Sequence, residues 1–135
     1  MYKMAYIKYK ELTKYFNYFK SLDIDSLPQY VLDYIGENET IYGAYSTYRD
    51  KGIFTDQKII LFDKKGLQGK RKDTHIIPYK AISNCSILYR KSSTDILIYL
   101  DSGYPLRLRF VKQRPEDKKE LRILYSHLIS KICGN

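Results

Sequence analysis

The residues best able to do chemistry in this sequence are two histidines and two cysteines, and they are widely spaced. His75 lies in a predicted strand beside Ile76, and His127 lies in a predicted terminal helix. Neither has a cysteine or a second histidine nearby in sequence, so each is interpreted as a structural histidine. Cys85 and Cys133 are too few and too distant for a disulfide framework or a zinc site, which indicates free thiols.

Two further patterns resemble reactive or phosphate-binding motifs, and each has a structural interpretation instead. Glycoside chemistry needs paired carboxylates, but Glu37 with Glu39 is typical of a turn, and Glu116 with Asp117 of a helix start. The segment 66–70, GLQGK, lacks the spacing of the G-x-x-x-x-G-K-[ST] loop and precedes a strand. We therefore predict a chain that is not an enzyme, with no catalytic residues, metal ligands or cofactor.

Positive charge is the clearest functional signal. The net charge is +9; residues 1–35 hold five basic and four acidic groups, whereas residues 36–135 hold nineteen basic and eleven acidic groups. This excess favours an anionic partner, such as nucleic acid, an anionic membrane or an acidic protein, although positive charge also keeps proteins soluble. The candidate contacts with an anionic partner are Lys64, Lys65, Lys70, Arg71, Lys72, Arg90, Lys91, Arg107 and Arg109.

The elements that must position these residues are strands, most clearly between residues 52 and 82. The apolar run 59–62 predicts a buried strand, and residues 53–55 precede it across a tight turn. A third strand over 74–77 stops at Pro78, because proline cannot donate to a ladder. We predict three sequential antiparallel strands.

The same stretch resembles the bacterial pleckstrin-homology-like (PH-like) domains. The resemblance is carried by FTDQKIIL at 54–61, Asp63, Gly66-Leu67, Gly69-Lys70, and the corner Ile77-Pro78-Tyr79-Lys80 with Ile82. It covers roughly Glu37 to Cys133. It implies an α+β fold, a PH-like barrel of about seven antiparallel strands in two bent sheets, with a C-terminal closing helix. It also implies a binding or oligomerising module.

The remaining strands and the closing helix can be placed from their patterns. Strands are predicted over 39–48, 82–89, 95–100 and 106–110, and a helix from Pro115 onward. The strand 106–110 alternates, with leucine and phenylalanine toward the core and Arg107 and Arg109 on the outer face. The two arginines are a candidate contact site, with a solvated or ion-paired face as the alternative. The pattern of 82–89 does not decide which side faces inward.

Two N-terminal helices are predicted to precede the PH-like domain. Ala5, Tyr9, Leu12, Phe16 and Phe19 recur at spacings of four and three, which predicts an amphipathic helix over 4–20. A second helix over 29–35 is predicted to end at Gly36 in a left-handed cap. Residues 1–36 would form a helical extension and residues 37–135 the PH-like domain, in one compact unit. Tyr9, Leu12, Phe16 and Phe19 are the candidate protein interface.

The predicted function is a non-catalytic PH-like module that acts by protein–protein interaction or self-assembly, including a homo-oligomer. The alternatives are a basic protein that binds nucleic acid or another polyanion, with tyrosines as stacking platforms, and weak binding to an anionic membrane surface. Specific phosphoinositide recognition is not expected, because the loop between the first two strands offers only Arg49 and Lys51, partly neutralised by Asp50. The sequence has no run of about 18 apolar residues that could span a bilayer. The expected location is cytoplasmic.

Overall fold

A computed structural model of the chain describes residues 16–18, 20–65 and 71–134, without the side chains of residues 16, 17, 65 and 71. The strands are β1 Phe16–Tyr18, β2 Lys20–Ser21, β3 Ile41–Ser46, β4 Lys51–Thr55, β5 Lys58–Lys65, β6 Arg71–Pro78, β7 Ile82–Tyr89, β8 Thr94–Leu100 and β9 Pro105–Phe110. The helices are α1 Gln29–Leu32 and α2 Pro115–Ile132, with short 3-10 helices at Ile24–Ser26 and Tyr79–Ala81.

The strands form two sheets. One has the order β2-β3-β4-β5-β6 and is antiparallel throughout; the other has the order β1-β9-β8-β7, in which β1 runs parallel to β9. All seven predicted strands are present as β3 to β9, and the predicted closing helix is α2. Two sheets that are antiparallel except for the β1–β9 pair, together with a C-terminal helix, confirm the α+β class and the general PH-like architecture.

The predicted first helix is wrong at its C-terminal end. Residues 16–18 form β1, in which Phe16 lies opposite Leu108, and Lys20 pairs with Ser46 of β3. A helical spacing of apolar residues did not decide this segment, because the edges of β3 and β9 offer backbone partners that only an extended chain can use. Residues 4–15 of that helix, and with them Tyr9 and Leu12, lie outside the described residues.

Two details of the predicted barrel and second helix also need correction. The described strands form open sheets and not a closed barrel, because β6 ends at Pro78 and a 3-10 helix separates it from β7, the outer strand of the other sheet. The second helix is one turn long, Gln29–Leu32. Gly36 has no positive φ, and its N–H donates to Glu39 Oε1 at 2.9 Å, so no left-handed cap forms.

The apolar core lies on both faces of the five-stranded sheet. Phe54, Ile59 and Leu61 pack between the sheets with the inward residues of β8, β9 and α2. On the other face, Ile53, Ile60 and Phe62 pack beneath Leu27 and Val31, which precede and belong to α1. Strands β4 and β5 are therefore buried on both sides, which explains their continuous apolar runs without alternation.

The inward side of β7 is set by a bulge. The register against β8 shifts between Ile82 and Asn84, so one extra residue sits on β7 at that point. As a result Ile82, Cys85 and Ile87 all pack against the core between the sheets. No simple alternation could assign that face, since the bulge changes its phase.

Candidate functional site

The FTDQK part of the PH-like pattern builds a turn. The Thr55 hydroxyl oxygen accepts the N–H groups of Gln57 and Lys58, each at 3.0 Å. The Asp56 carboxylate accepts the N–H of Thr40 at 3.0 Å, and the Asp56 N–H donates to the Thr40 carbonyl at 2.9 Å. These side chains are used within the fold to close the β4–β5 turn and tie it to the start of β3.

The proline-tyrosine corner between the sheets is fastened to that same turn. Tyr79 is buried, and its hydroxyl donates to the Thr55 carbonyl at 2.6 Å. Burial raises the pKa of this hydroxyl, so it stays protonated and remains a donor. The described turn and corner residues of the PH-like pattern therefore serve to hold the fold together.

Glu39, one of the carboxylates considered for chemistry, lies in a structural network. Its side chain is buried and accepts hydrogen bonds from Lys58 Nζ at 2.8 Å, from the Gly36 N–H at 2.9 Å and from the Thr55 hydroxyl. Burial raises the pKa of Glu39, but these three donors outweigh burial and leave the pKa below its usual value. Glu39 is thus an ionised anchor between the α1 region and the β4–β5 turn.

The loop between β3 and β4 does not present converging cations. Asp50 accepts the Lys64 N–H at 2.9 Å, and the Arg49 guanidinium donates to the Lys64 carbonyl at 2.7 Å. The Lys51 ammonium lies 5.3 Å from the Tyr30 ring centroid, in a cation–π contact. These interactions hold β5 in place and direct both cations to partners within the chain.

The predicted anionic-partner residues separate into two groups. Lys64 and Lys72 lie opposite each other on β5 and β6, beside Lys65 and Arg71, whose side chains are not described, while Lys70 lies outside the described residues. The structure places the described members of this group at the adjoining ends of β5 and β6. The second group is built around β8 and β9.

Asp95 is the centre of that second group. Its side chain is fully buried on the outer face of β8, and Arg109 donates to both carboxylate oxygens at 2.8 and 3.0 Å. Arg90 and Arg107 lie within 3.6 and 3.8 Å of the same carboxylate. Burial raises the pKa of Asp95, but the Arg109 hydrogen bond and the three guanidinium charges keep it below its usual value. Arg107 and Arg109 therefore correspond to the ion-paired alternative.

A basic cleft lies beside this cluster, between the β7–β8 loop and the first turns of α2. We call it the α2 cleft; its volume is about 440 Å³, and its lining residues are Lys91, Gln113, Pro115, Lys118, Lys119 and Arg122. Only Lys91 was among the candidate contacts. The helix cations were not predicted as contacts, although Lys118 and Lys119 precede Arg122 by four and three residues, a spacing that places side chains on one side of a helix.

The walls of the α2 cleft are held by hydrogen bonds. Lys118 Nζ donates to the Lys91 carbonyl at 2.7 Å, which fixes the β7–β8 loop against the helix. The Gln113 N–H donates to the Ser92 carbonyl at 3.0 Å, and the Thr94 hydroxyl donates to the Gln113 side-chain oxygen at 2.9 Å. The cleft is therefore a preformed feature of the fold.

Comparison with known proteins agrees with this architecture. Residues 12–129 match the family described as Bacterial PH domain. The chain belongs to that family. An uncharacterised protein from Bacillus subtilis (strain 168), YjqA, is 43% identical to this bacterial PH domain over 51 residues, which are 38% of this chain and 41% of YjqA. The match thus spans about two-fifths of that curated relative.

Solved structures have the same fold as this bacterial PH domain. A DUF1696 family protein with a pleckstrin-homology domain from Shewanella loihica gives a TM-score of 0.69 at 23% identity, covering 86% of this chain and 97% of that one. A pleckstrin homology domain from Shewanella amazonensis gives a TM-score of 0.59 at 26% identity, covering 84% of this chain and 90% of that one. A PH domain containing protein from Exiguobacterium sibiricum gives a TM-score of 0.64 at 17% identity, covering 83% of this chain and 61% of that one.

The two histidines of this bacterial PH domain lie in different surroundings. His127 stacks on Tyr42 with ring centroids 4.2 Å apart, and His75 lines an apolar cavity of about 380 Å³ between β6 and the β8–β9 turn. Among the residues that the structure describes, no group of three or more histidine, cysteine or acidic side chains could hold a metal ion. Within that same part of the chain, no helix is long and apolar enough to cross a bilayer.

Proposed function

We propose that this bacterial PH domain is a non-catalytic binding module that acts through protein–protein contact, with a second copy of the chain as the first partner to test. The observation that carries the proposal is the pair of outer strands, β6 and β7. Each has eight residues, and no described strand pairs with the other side of either one. An edge of this length offers backbone donors and acceptors to another chain.

Exposed apolar side chains on both edges support this proposal. Ile76 on β6 is 50% exposed, and on β7 Leu88 and Tyr89 are 38% and 60% exposed. Natural edge strands are usually protected by charges, prolines or bulges. Charged residues at the start of β6 (Arg71, Lys72 and Asp73), Pro78 at its end and the bulge at the start of β7 protect parts of these edges. The exposed apolar side chains lie on the remaining parts, where a partner strand could cover them.

The surroundings of the titratable groups support a non-catalytic role. Asp95 and Glu39 are buried ionised carboxylates bonded to cations of the same chain, and His127 is stacked on Tyr42. The Thr55 hydroxyl that donates to Glu39 also accepts the N–H groups of Gln57 and Lys58, so it is used within the β4–β5 turn. The interactions of these groups serve the fold, which is the arrangement expected of a binding scaffold.

Self-assembly is tested by measuring mass with size-exclusion chromatography and light scattering at two protein concentrations. We expect a mass above the 16.1 kDa of one chain that rises with concentration. Ile76→Lys on β6 and Leu88→Lys on β7 place a charge on each edge and should lower the mass. Ile123→Lys is the matched control, because Ile123 is 57% exposed but lies on α2. A single-chain mass at both concentrations would contradict self-assembly.

The predicted N-terminal interface stays a separate prediction. Tyr9, Leu12 and Phe19 lie outside the described residues, and only the backbone of Phe16 is described, in β1. Leu12→Lys in the same mass measurement tests it. A loss of assembly in Leu12→Lys but in neither edge variant would favour the N-terminal segment over the sheet edges as the interface.

A further inference from the structure

The α2 cleft carries positive charge that its own lining does not offset. Four of the described residues that line it are cationic, and none is acidic. The acids of the first turn of α2 are used elsewhere, since Glu116 and Asp117 lie 3.3 and 3.2 Å from Arg114. Glu120 lines a different cavity together with Asp117. Cations that converge without a facing carboxylate produce a local positive potential and favour an anionic ligand.

The neighbouring Asp95 cluster adds to that potential. Among the ion pairs of the described residues, three guanidinium groups surround one carboxylate, so cations outnumber anions in this cluster. Arg90 is the most exposed of them, with 52% of its side chain accessible, and it directly precedes Lys91 of the cleft. Because Lys118 Nζ also approaches the Arg90 carbonyl at 3.4 Å, the cluster and the cleft are adjacent parts of one surface.

An exposed aromatic ring lies at the edge of this surface. Tyr89 directly precedes Arg90 and is 60% exposed. Its hydroxyl group contacts the hydroxyl group of Tyr125. The Tyr125 ring meets the Tyr89 ring edge to face at 69° and does not stack on it, and more than half of Tyr89 remains exposed. The Arg122 guanidinium lies beside the Tyr89 hydroxyl, which links the ring to the cleft.

We propose that the α2 cleft and Tyr89 together bind single-stranded nucleic acid. The phosphates of the backbone would lie among Lys91, Lys119 and Arg122, and one base would stack on the exposed face of Tyr89. A cationic groove beside an aromatic platform is the arrangement by which proteins bind single strands with little sequence preference. This inference goes beyond the proposed protein-binding role and does not depend on it.

The shape of the surface favours a strand over a membrane. The cations line a concave cleft with walls fixed by the Lys118 and Gln113 hydrogen bonds, whereas a bilayer surface needs cations on a protruding or flat face. A flexible backbone can enter a cleft, and only an unpaired base can stack on Tyr89. Duplex nucleic acid would use the charges but not the aromatic ring.

The proposal is tested by fluorescence anisotropy with a labelled twelve-nucleotide oligo-dT and the full chain. We expect binding at 50 mM NaCl that weakens about 20-fold at 200 mM, because three neutralised phosphates at a slope of about 0.7 each give that ratio. Lys119→Glu with Arg122→Glu should weaken binding at least about tenfold. The control pair, Lys80→Glu with Lys131→Glu, makes the same change in net charge at positions outside the cleft. It should weaken oligo-dT binding less than about threefold.

The aromatic contribution has its own pair of variants. Tyr89→Ala should weaken binding about fivefold or more, the range measured for loss of one stacked base, whereas Tyr89→Phe should retain wild-type affinity. Equal losses in both Tyr89 variants, or equal losses in both charge-reversed pairs, would overturn the proposal. The salt dependence of the wild type tests the charge contribution without any variant, should one of them fail to fold.

Two further arms separate this ligand from others that carry phosphates. A duplex of the same length should bind more weakly than oligo-dT; equal or tighter duplex binding would overturn the single-strand assignment. Vesicles with 30% phosphatidylserine should not bind the protein at 150 mM NaCl, so the protein should stay in the supernatant when the vesicles are sedimented. Binding to these vesicles without binding to oligo-dT would assign the surface to an anionic membrane.

Discussion

The phenol ring of Tyr18 lies directly against the backbone of Gly52. A Cβ atom at residue 52 would stand 2.7 Å from Cζ of that ring, closer than real Cβ contacts allow. Tyr18 is buried at the end of β1, in the four-stranded sheet, while Gly52 belongs to β4 in the other sheet. The absence of a side chain at Gly52 is therefore what lets the two sheets approach at this corner.

Gly52→Ala should destabilise the fold. Because the added methyl group overlaps a buried ring, the free energy of unfolding should fall by about 1–3 kcal/mol, the usual cost of overpacking a core. Urea denaturation measures it. Gly36→Ala is the matched control, since its Cβ would lie 3.6 Å from Glu39 Oε1, an ordinary contact, and should change stability by less than about 1 kcal/mol.

Tyr18→Phe should partly suppress the Gly52→Ala defect. The hydroxyl oxygen of Tyr18 is the atom nearest to the added methyl group, so its removal relieves the closest overlap. A double-mutant cycle should show a favourable coupling of about 0.5 kcal/mol or more. Strictly additive effects would contradict a direct contact between residues 18 and 52.

The Asp95 cluster should make stability depend on acid. The pKa of Asp95 is lower in the folded chain than its usual value, so the unfolded chain binds the proton more readily. Its contribution is fully present above the unfolded pKa of about 3.9 and is lost as pH falls through the folded pKa. Urea unfolding at pH 7, 5 and 3 should show the loss between the last two values.

Asp95→Asn tests that assignment. At pH 7 it should cost about 3 kcal/mol or more, because the buried partner of Arg109 loses its charge. The loss between pH 5 and pH 3 should be smaller in the variant than in the wild type, but not zero, since Glu39 and Asp117 also have lowered pKa values. Parallel stability curves for the two proteins would contradict the role of Asp95.

Tyr79→Phe should lower the stability of the fold and leave the affinity for oligo-dT unchanged. The variant loses the hydrogen bond from the hydroxyl to the Thr55 carbonyl, worth about 1 kcal/mol. Tyr99→Phe is the control, because Tyr99 is 39% exposed on the outer face of β8. A thermal melt compares them. If both variants had the melting temperature of the wild type, the stability of the proline-tyrosine corner would not depend on this hydrogen bond.

Phosphoinositide vesicles should bind no better than phosphatidylserine vesicles of equal surface charge. Arg49 is bonded to the Lys64 carbonyl and Lys51 lies over Tyr30, so the β3–β4 loop does not present converging cations to an inositol phosphate. Vesicle sedimentation at 150 mM NaCl measures the difference. A preference of tenfold or more for the phosphoinositide, abolished by Lys51→Ala, would contradict this prediction.

Strands with local patterns could be predicted from the sequence, whereas β1 could not. The run 59–62 and the alternation in 106–110 mark β5 and β9 without knowledge of any partner. Residues 16–18 are extended because of β9, a partner far along the chain, and apolar spacings of three and four suggested a helix instead. Propensity over so short a segment yields to such tertiary pairing.

The candidate site was predictable in charge but not in arrangement. Alternation correctly placed Arg107 and Arg109 on an outer face, but their partner Asp95 follows from the β8–β9 register, in which Asp95 lies opposite Arg109. That register depends on the length and form of a turn. The α2 cleft joins a helix to a distant loop through Lys118 and Lys91, a contact that no local pattern contains.

The parallel pairing of β1 has a consequence for biosynthesis. Phe16 faces Leu108, which is 92 positions later in the chain, so the segment 16–21 leaves the ribosome long before its neighbour on one side exists. The meander from β3 to β6 can assemble first, because its contacts are local. Final closure of the corner at Tyr18 must wait until β9 has been made, and until then the nascent chain exposes unprotected strand edges, the stage at which aggregation is most favoured.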